Sequence, residues 1–99
     1  MNAIPGLTIG VKGTAEIVVG ETGIDPKTAR RLAGLAGKLR KLDHLGLAEV
    51  PSTRLLVDAA KLIVSGMAPR RACEVAVVAP LSDDAEVTAA LGEVVALAL

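Results

Sequence analysis

The clearest periodicity in the chain lies beyond Asp25, where Leu32, Leu35, Leu39 and Leu42 recur at intervals of three, four and three residues, the spacing that stacks side chains on one face of a helix. Asp25 is a good N-cap, and Pro26 fits a first helical turn, where its missing N–H costs nothing. The pattern predicts an amphipathic helix ending near Asp43, with Gly46 as the stop. Gly34 and Gly37 inside it each cost about 1 kcal/mol relative to alanine. Close approach by a neighbouring helix would explain them, and so would simple exposure.

Three more segments show the same logic. Pro51 and Ser52 open a helix with Ser52 as N-cap and Leu55, Leu56, Ala59, Leu62 and Ile63 as its buried stripe, closed by Gly66. Pro69 starts another, carrying Ala72, Cys73, Ala76 and Val77 inward until Pro80 ends it. The last begins at Ser82 or Asp83: Asp83, Asp84 and Glu86 suit the positive end of a helix dipole, and Val87, Leu91, Val94, Val95 and Ala98 form its apolar face.

The amino-terminal quarter is less regular. In Thr14 to Glu21, Thr14 can serve as N-cap with Ile17 and Val18 as anchors; the β-branched run leaves a strand open, but helix is the reading consistent with the rest. Residues 1–13, with Pro5, Gly6, Gly10 and Gly13, are too broken for a helix or a central strand and read as an extended arm or an appended leader. The expected architecture is all-α, a small bundle of four to five helices over residues 14–99, joined by short connections.

With 99 residues, 52% of them hydrophobic and none aromatic, aliphatic side chains must supply the whole core. Charge interrupts every apolar stretch before it reaches membrane-spanning length. A single cysteine rules out an internal disulfide, and the start lacks the pattern of a signal peptide, so a cytoplasmic location is expected. Acids and bases balance at net zero but are segregated. Lys27, Arg30, Arg31, Lys38, Arg40 and Lys41 lie together without an acid, whereas after Arg71 the chain carries Glu74, Asp83, Asp84, Glu86 and Glu93 without a base.

Reactive groups are sparse. His44 beside Asp43 suits a solvated or capping role, and Cys73 on an apolar stripe reads as a buried aliphatic substitute. No ligand set has usable metal spacing. Asp83 and Asp84 suit helix capping better than paired acid and base work. Gly20, Gly23 and Lys27-Thr28 superficially suggest a phosphate loop, yet Pro26 stands where a glycine amide must face the phosphates. No catalytic residue is expected, and the chain alone should not hydrolyse nucleotide. The basic segment reads as a solvated face; duplex binding through phosphates stays open, and single-strand recognition is disfavoured without aromatic side chains.

Val50-Pro51-Ser52-Thr53-Arg54-Leu55-Leu56-Val57, followed by Ala59-Ala60, Leu62-Ile63, Gly66, Pro69-Arg70, Ala72-Cys73 and Pro80-Leu81-Ser82-Asp83-Asp84, resembles the carboxy-terminal domain of the CbbQ, NirQ and NorQ group of MoxR-type AAA+ ATPases. The likeness runs from about Glu16 to Leu99. It implies a helical lid packed on a nucleotide-binding core, in rings that activate or mature client enzymes such as Rubisco or nitric oxide reductase, or that assist gas-vesicle assembly, usually with a von Willebrand A domain partner. Walker A, Walker B and arginine-finger motifs are absent from the chain, so an excised domain or an orphan lid is expected, with no cofactor of its own; ATP and Mg would belong to the full-length relative. The resemblance places Arg54 where related lids carry the arginine called sensor 2. From the residues alone, Arg54 could equally pair with Asp58 one turn later, worth at most about 0.5 kcal/mol. The competing readings are a stand-alone interaction module and a duplex-binding domain.

Overall fold

The computed structural model describes residues 13–42 and 52–99. Residues 1–12 of the expected arm, the Asp43-His44 pair, Gly46 and Pro51 lie outside the described residues. Five helices follow one another: α1, Thr14–Thr22; α2, Pro26–Arg40; α3, Thr53–Val64; α4, residues 69–81; and α5, Ala85–Ala98. No strand occurs among the described residues. The architecture is the all-α bundle that the periodicity predicts.

Each boundary has a local cause. Gly13, not Thr14, is the N-cap of α1, and its N–H donates to Glu16 Oε1 at 3.4 Å. Thr14 is already helical, so its hydroxyl is not in the capping position. The helix stops at Gly23, whose φ of 75° suits a residue without Cβ and whose N–H returns to Val19 O at 2.8 Å. Asp25 caps α2 as expected, but that helix ends at Arg40, slightly short of Asp43.

At the end of α3, Met67 N–H donates to Leu62 O and Gly66 N–H to Ile63 O, at 3.0 and 2.9 Å, with Gly66 at φ 115°. This is the Schellman arrangement, which satisfies two carbonyls the helix would leave unpaired. The start of α5 moves from the expected Ser82 or Asp83 to Asp84, because the Asp84 carboxylate accepts from both Glu86 N–H and Val87 N–H at 2.9 and 3.0 Å. Ser82 supports it by accepting from Asp84 N–H at 3.0 Å.

Pro80 does not end α4. The helix begins as Pro69–Cys73, widens into a π-helical turn over Glu74–Val78 and closes as Ala79–Leu81. In a regular α-helix the Pro80 ring would collide with the carbonyl of Ala76 and leave it unbonded. The wider turn shifts the pairing, so that Ala79 N–H reaches Glu74 O. Chain extension stops only after Leu81, where Ser82 is extended.

One aliphatic core joins all five helices. Leu32, Leu35, Leu39, Leu56, Leu81 and Leu91 are its largest fully buried side chains. On α1, Val18 is the buried anchor and Ile17 is only half-buried. Leu62, Ile63, Val87, Val94 and Ala98, expected inside, are half-buried at the edge. No polar or charged residue is buried among the described residues, so the core carries no desolvated charge to compensate.

Candidate functional site

Arg54 is the second residue of α3 and its side chain is exposed. The pairing with Asp58 is not formed within 4 Å. Ser52 occupies the N-cap without a side-chain hydrogen bond, and the first turn of α3 holds no acid. A helix start with this composition presents backbone N–H groups and the positive end of the dipole with no carboxylate in its own first turn to neutralise them. The guanidinium stands beside that end as a fixed cation with a planar set of donors. Together they fit a phosphate group.

The other two well-defined helix starts differ in kind. Asp25 Oδ2 accepts from Thr28 N–H at 2.9 Å and from the Thr28 hydroxyl at 3.0 Å. Those bonds, the backbone one first, hold the Asp25 carboxyl below its ordinary value of 3.8. The apparent phosphate loop around Lys27-Thr28 is therefore a capped helix start with an anion already in place. Gly20 lies within α1, so no loop exists there to wrap a phosphate. Asp84 fills the same capping role for α5, while neighbouring Asp83 is exposed, so the two acids do not converge as an acid-base pair.

Cys73 is fully buried in α4, and burial pushes its thiol up to about 12, with Glu74 adding to the shift. It is a packing residue. Among the described residues no group of three or more potential ligands could hold a metal ion, so nothing there fits a magnesium site. An open cleft of about 520 Å³ lies between α1 and α2, bounded by Ala15, Glu16, Val19, Gly20, Pro26 and Arg30; its lining holds one acid and one base without a bond between them. No helix among the described residues is long and apolar enough to cross a membrane.

All six bases of α2 and its C-cap, Lys27, Arg30, Arg31, Lys38, Arg40 and Lys41, are exposed. Gly34 is exposed as well, and a Cβ built at Gly34 or Gly37 would meet nothing within 4 Å. Among the described residues no neighbouring helix explains these two glycines. The sequence singled out the bases as a group; stepping round α2 puts Lys27, Arg30, Arg31, Lys38 and Lys41 on one face and Arg40 off it.

Comparison with known proteins agrees with the bundle. The family model described as CbbQ/NirQ/NorQ C-terminal matches residues 14–98, the stretch that holds all five helices. The chain is 52% identical over 83 residues to the denitrification regulatory protein NirQ of Pseudomonas aeruginosa, covering 84% of this chain and 32% of that protein. It is 47% identical over 77 residues to the protein CbbQ of Hydrogenophilus thermoluteolus, covering 78% and 29%, and 47% identical over 81 residues to the protein NorQ of Paracoccus denitrificans, covering 82% and 30%. The chain thus spans about a third of the length of these curated relatives. A match across every helix, joined to identity near one half with three such proteins, establishes that the chain belongs to the CbbQ/NirQ/NorQ C-terminal family.

Proposed function

We propose that this domain is the helical lid of a MoxR-type AAA+ ATPase that activates or matures a client enzyme, and that Arg54 senses the bound nucleotide. The observation that carries the reading is the start of α3, where, among the described residues, the guanidinium has no partner and the first turn holds neither a side-chain cap bond nor an acid. That arrangement suits a phosphate held by another domain. In the same reading the core supplies the residues that bind ATP and magnesium. The bound nucleotide supplies the phosphoryl group that is cleaved. Arg54 orients toward it, adds positive charge, and links nucleotide state to the position of α3.

One relative is named as a denitrification regulatory protein, which supports a role in regulating or maturing another protein over a stand-alone interaction module. By the same reading, the partners are the AAA+ core, ring neighbours, a von Willebrand A domain protein and a Rubisco-type or nitric oxide reductase-type client, all in the cytoplasm. The test is ATP turnover and nucleotide affinity of the assembled ATPase bearing Arg54→Ala, beside a Lys41→Ala control. One stabilising cation at a developing phosphate charge is worth a few kcal/mol, so turnover should fall at least tenfold in the first variant alone. Equal, unimpaired turnover in both would reduce Arg54 to a surface residue.

A further inference from the structure

Two exposed helix faces of this chain are complementary in charge, spacing and bulk, and we propose that α2 of one copy docks along α5 of a second copy. Stepping round α2 places Lys27, Arg30, Arg31, Lys38 and Lys41 on one face, with Gly34 at its centre. That face is opposite the side formed by Ala29, Leu32, Leu35, Ala36 and Leu39, which are buried. Among the described residues none of these five bases has an ion pair. On α5 the exposed face presents Glu86, Ala89, Glu93 and Leu97, with no base paired to it among the described residues.

The spacing matches. Arg31 and Lys38 are seven residues apart, as are Glu86 and Glu93, so each pair spans about 10 Å along its helix. Between the bases lie Gly34 and Gly37, and between the acids lie Ala89 and Ala90. Small residues at the centre allow two helices to approach closely while the flanking charges meet. Gly34 and Gly37 weaken α2, and among the described residues nothing lies within 4 Å of where their Cβ would be; an approaching α5 gives them a use. Within one molecule the two faces cannot meet, because α2 and α5 pack against each other through their buried sides.

The occupant is a second copy because the complementary surface is on the same chain and the net charge is zero. A protein built to hold duplex phosphates gains from a basic excess, which is absent here. Contact between two different faces is heterologous, so it propagates from copy to copy and closes into a ring when the rotation allows. It does not depend on nucleotide or on Arg54.

The experiment is sedimentation velocity of the 99-residue chain across a concentration series, at salt of about 0.01 M and about 1 M. Association is expected at low salt and its loss at high salt. Arg31→Glu with Lys38→Glu, and separately Glu86→Lys with Glu93→Lys, should each remain helical by circular dichroism and sediment as monomers at low salt. Mixing the two variants, or combining all four changes in one chain, should restore association. A wild-type chain that stays monomeric overturns the proposal, as does association that survives either reversal or high salt. Duplex DNA binding without self-association, lost in the Arg31→Glu, Lys38→Glu variant, would also overturn it and assign the α2 face to nucleic acid.

Discussion

Asp25 and Thr28 close the first turn of α2 through two hydrogen bonds to one carboxylate oxygen, at 2.9 and 3.0 Å. Because these bonds lower the folded-state value of the carboxyl below 3.8, the stability they give is present above that value. It is lost as pH falls through the lower, folded-state value. Asp25→Ala should therefore lower Tm at pH 7, and the gap to wild type should narrow in strong acid. Thermal melts of both proteins from neutral pH down to about pH 2 check this; a gap independent of pH would remove the carboxylate from the account.

Neighbouring residues of α2 should respond in opposite directions. Leu32 is fully buried and Leu32→Ala should cost about 2–5 kcal/mol, through lost burial and the cavity left behind. Gly34 has open space around its missing Cβ and no positive φ, so Gly34→Ala should stabilise the monomer by roughly 0.5–1 kcal/mol. Urea unfolding of both variants measures each sign.

Cys73 should be nearly inert to a thiol reagent in the folded protein and react at once in denaturant, since burial excludes the reagent and disfavours the thiolate. Its folded-state value of about 12 exceeds the ordinary 9.0. The protonated thiol thus contributes stability that is complete below pH 9.0 and declines as pH rises toward 12. Cys73→Ala should flatten the alkaline limb of the stability profile.

Arg54→Ala should leave the isolated domain within about 0.5 kcal/mol of wild type, as an exposed side chain without a partner among the described residues has little to lose. Chemical denaturation separates this outcome from a structural role, which would show as a larger loss before any ATPase is assembled.

The sequence made α2 legible because three independent signals coincide there: leucine spacing, an aspartate cap and a proline in the first turn. In α1 the run Ile17-Val18-Val19 favours neither state, and only its packing on α2 and α3 selects the helix. Pro80 misled for a definite reason: the rule that proline ends a helix assumes regular i to i+4 pairing, which the wide turn of α4 suspends. The place of Arg54 at a helix start was legible from Pro51-Ser52, whereas its solitude was not, since pairing with Asp58 is a matter of side-chain geometry. Neither Gly13 nor Asp84 could be chosen over its neighbour from composition, because both choices turn on one residue of backbone phase.

The wide turn of α4 also acts on register. Cys73, Val77 and Leu81 are all buried although they recur every four residues; on a regular α-helix each step would carry them about 40° further round the axis. The turn takes up that slip, so α4 holds one residue more than an ordinary helix would need, as though an insertion had been stored inside it. The core would then keep its alignment if exposed Val75 were deleted and Pro80 replaced by alanine, whereas any single deletion within α2 would swing its leucines out of the core. Length can vary by one residue in α4 at a site where the pattern of buried side chains does not record the change.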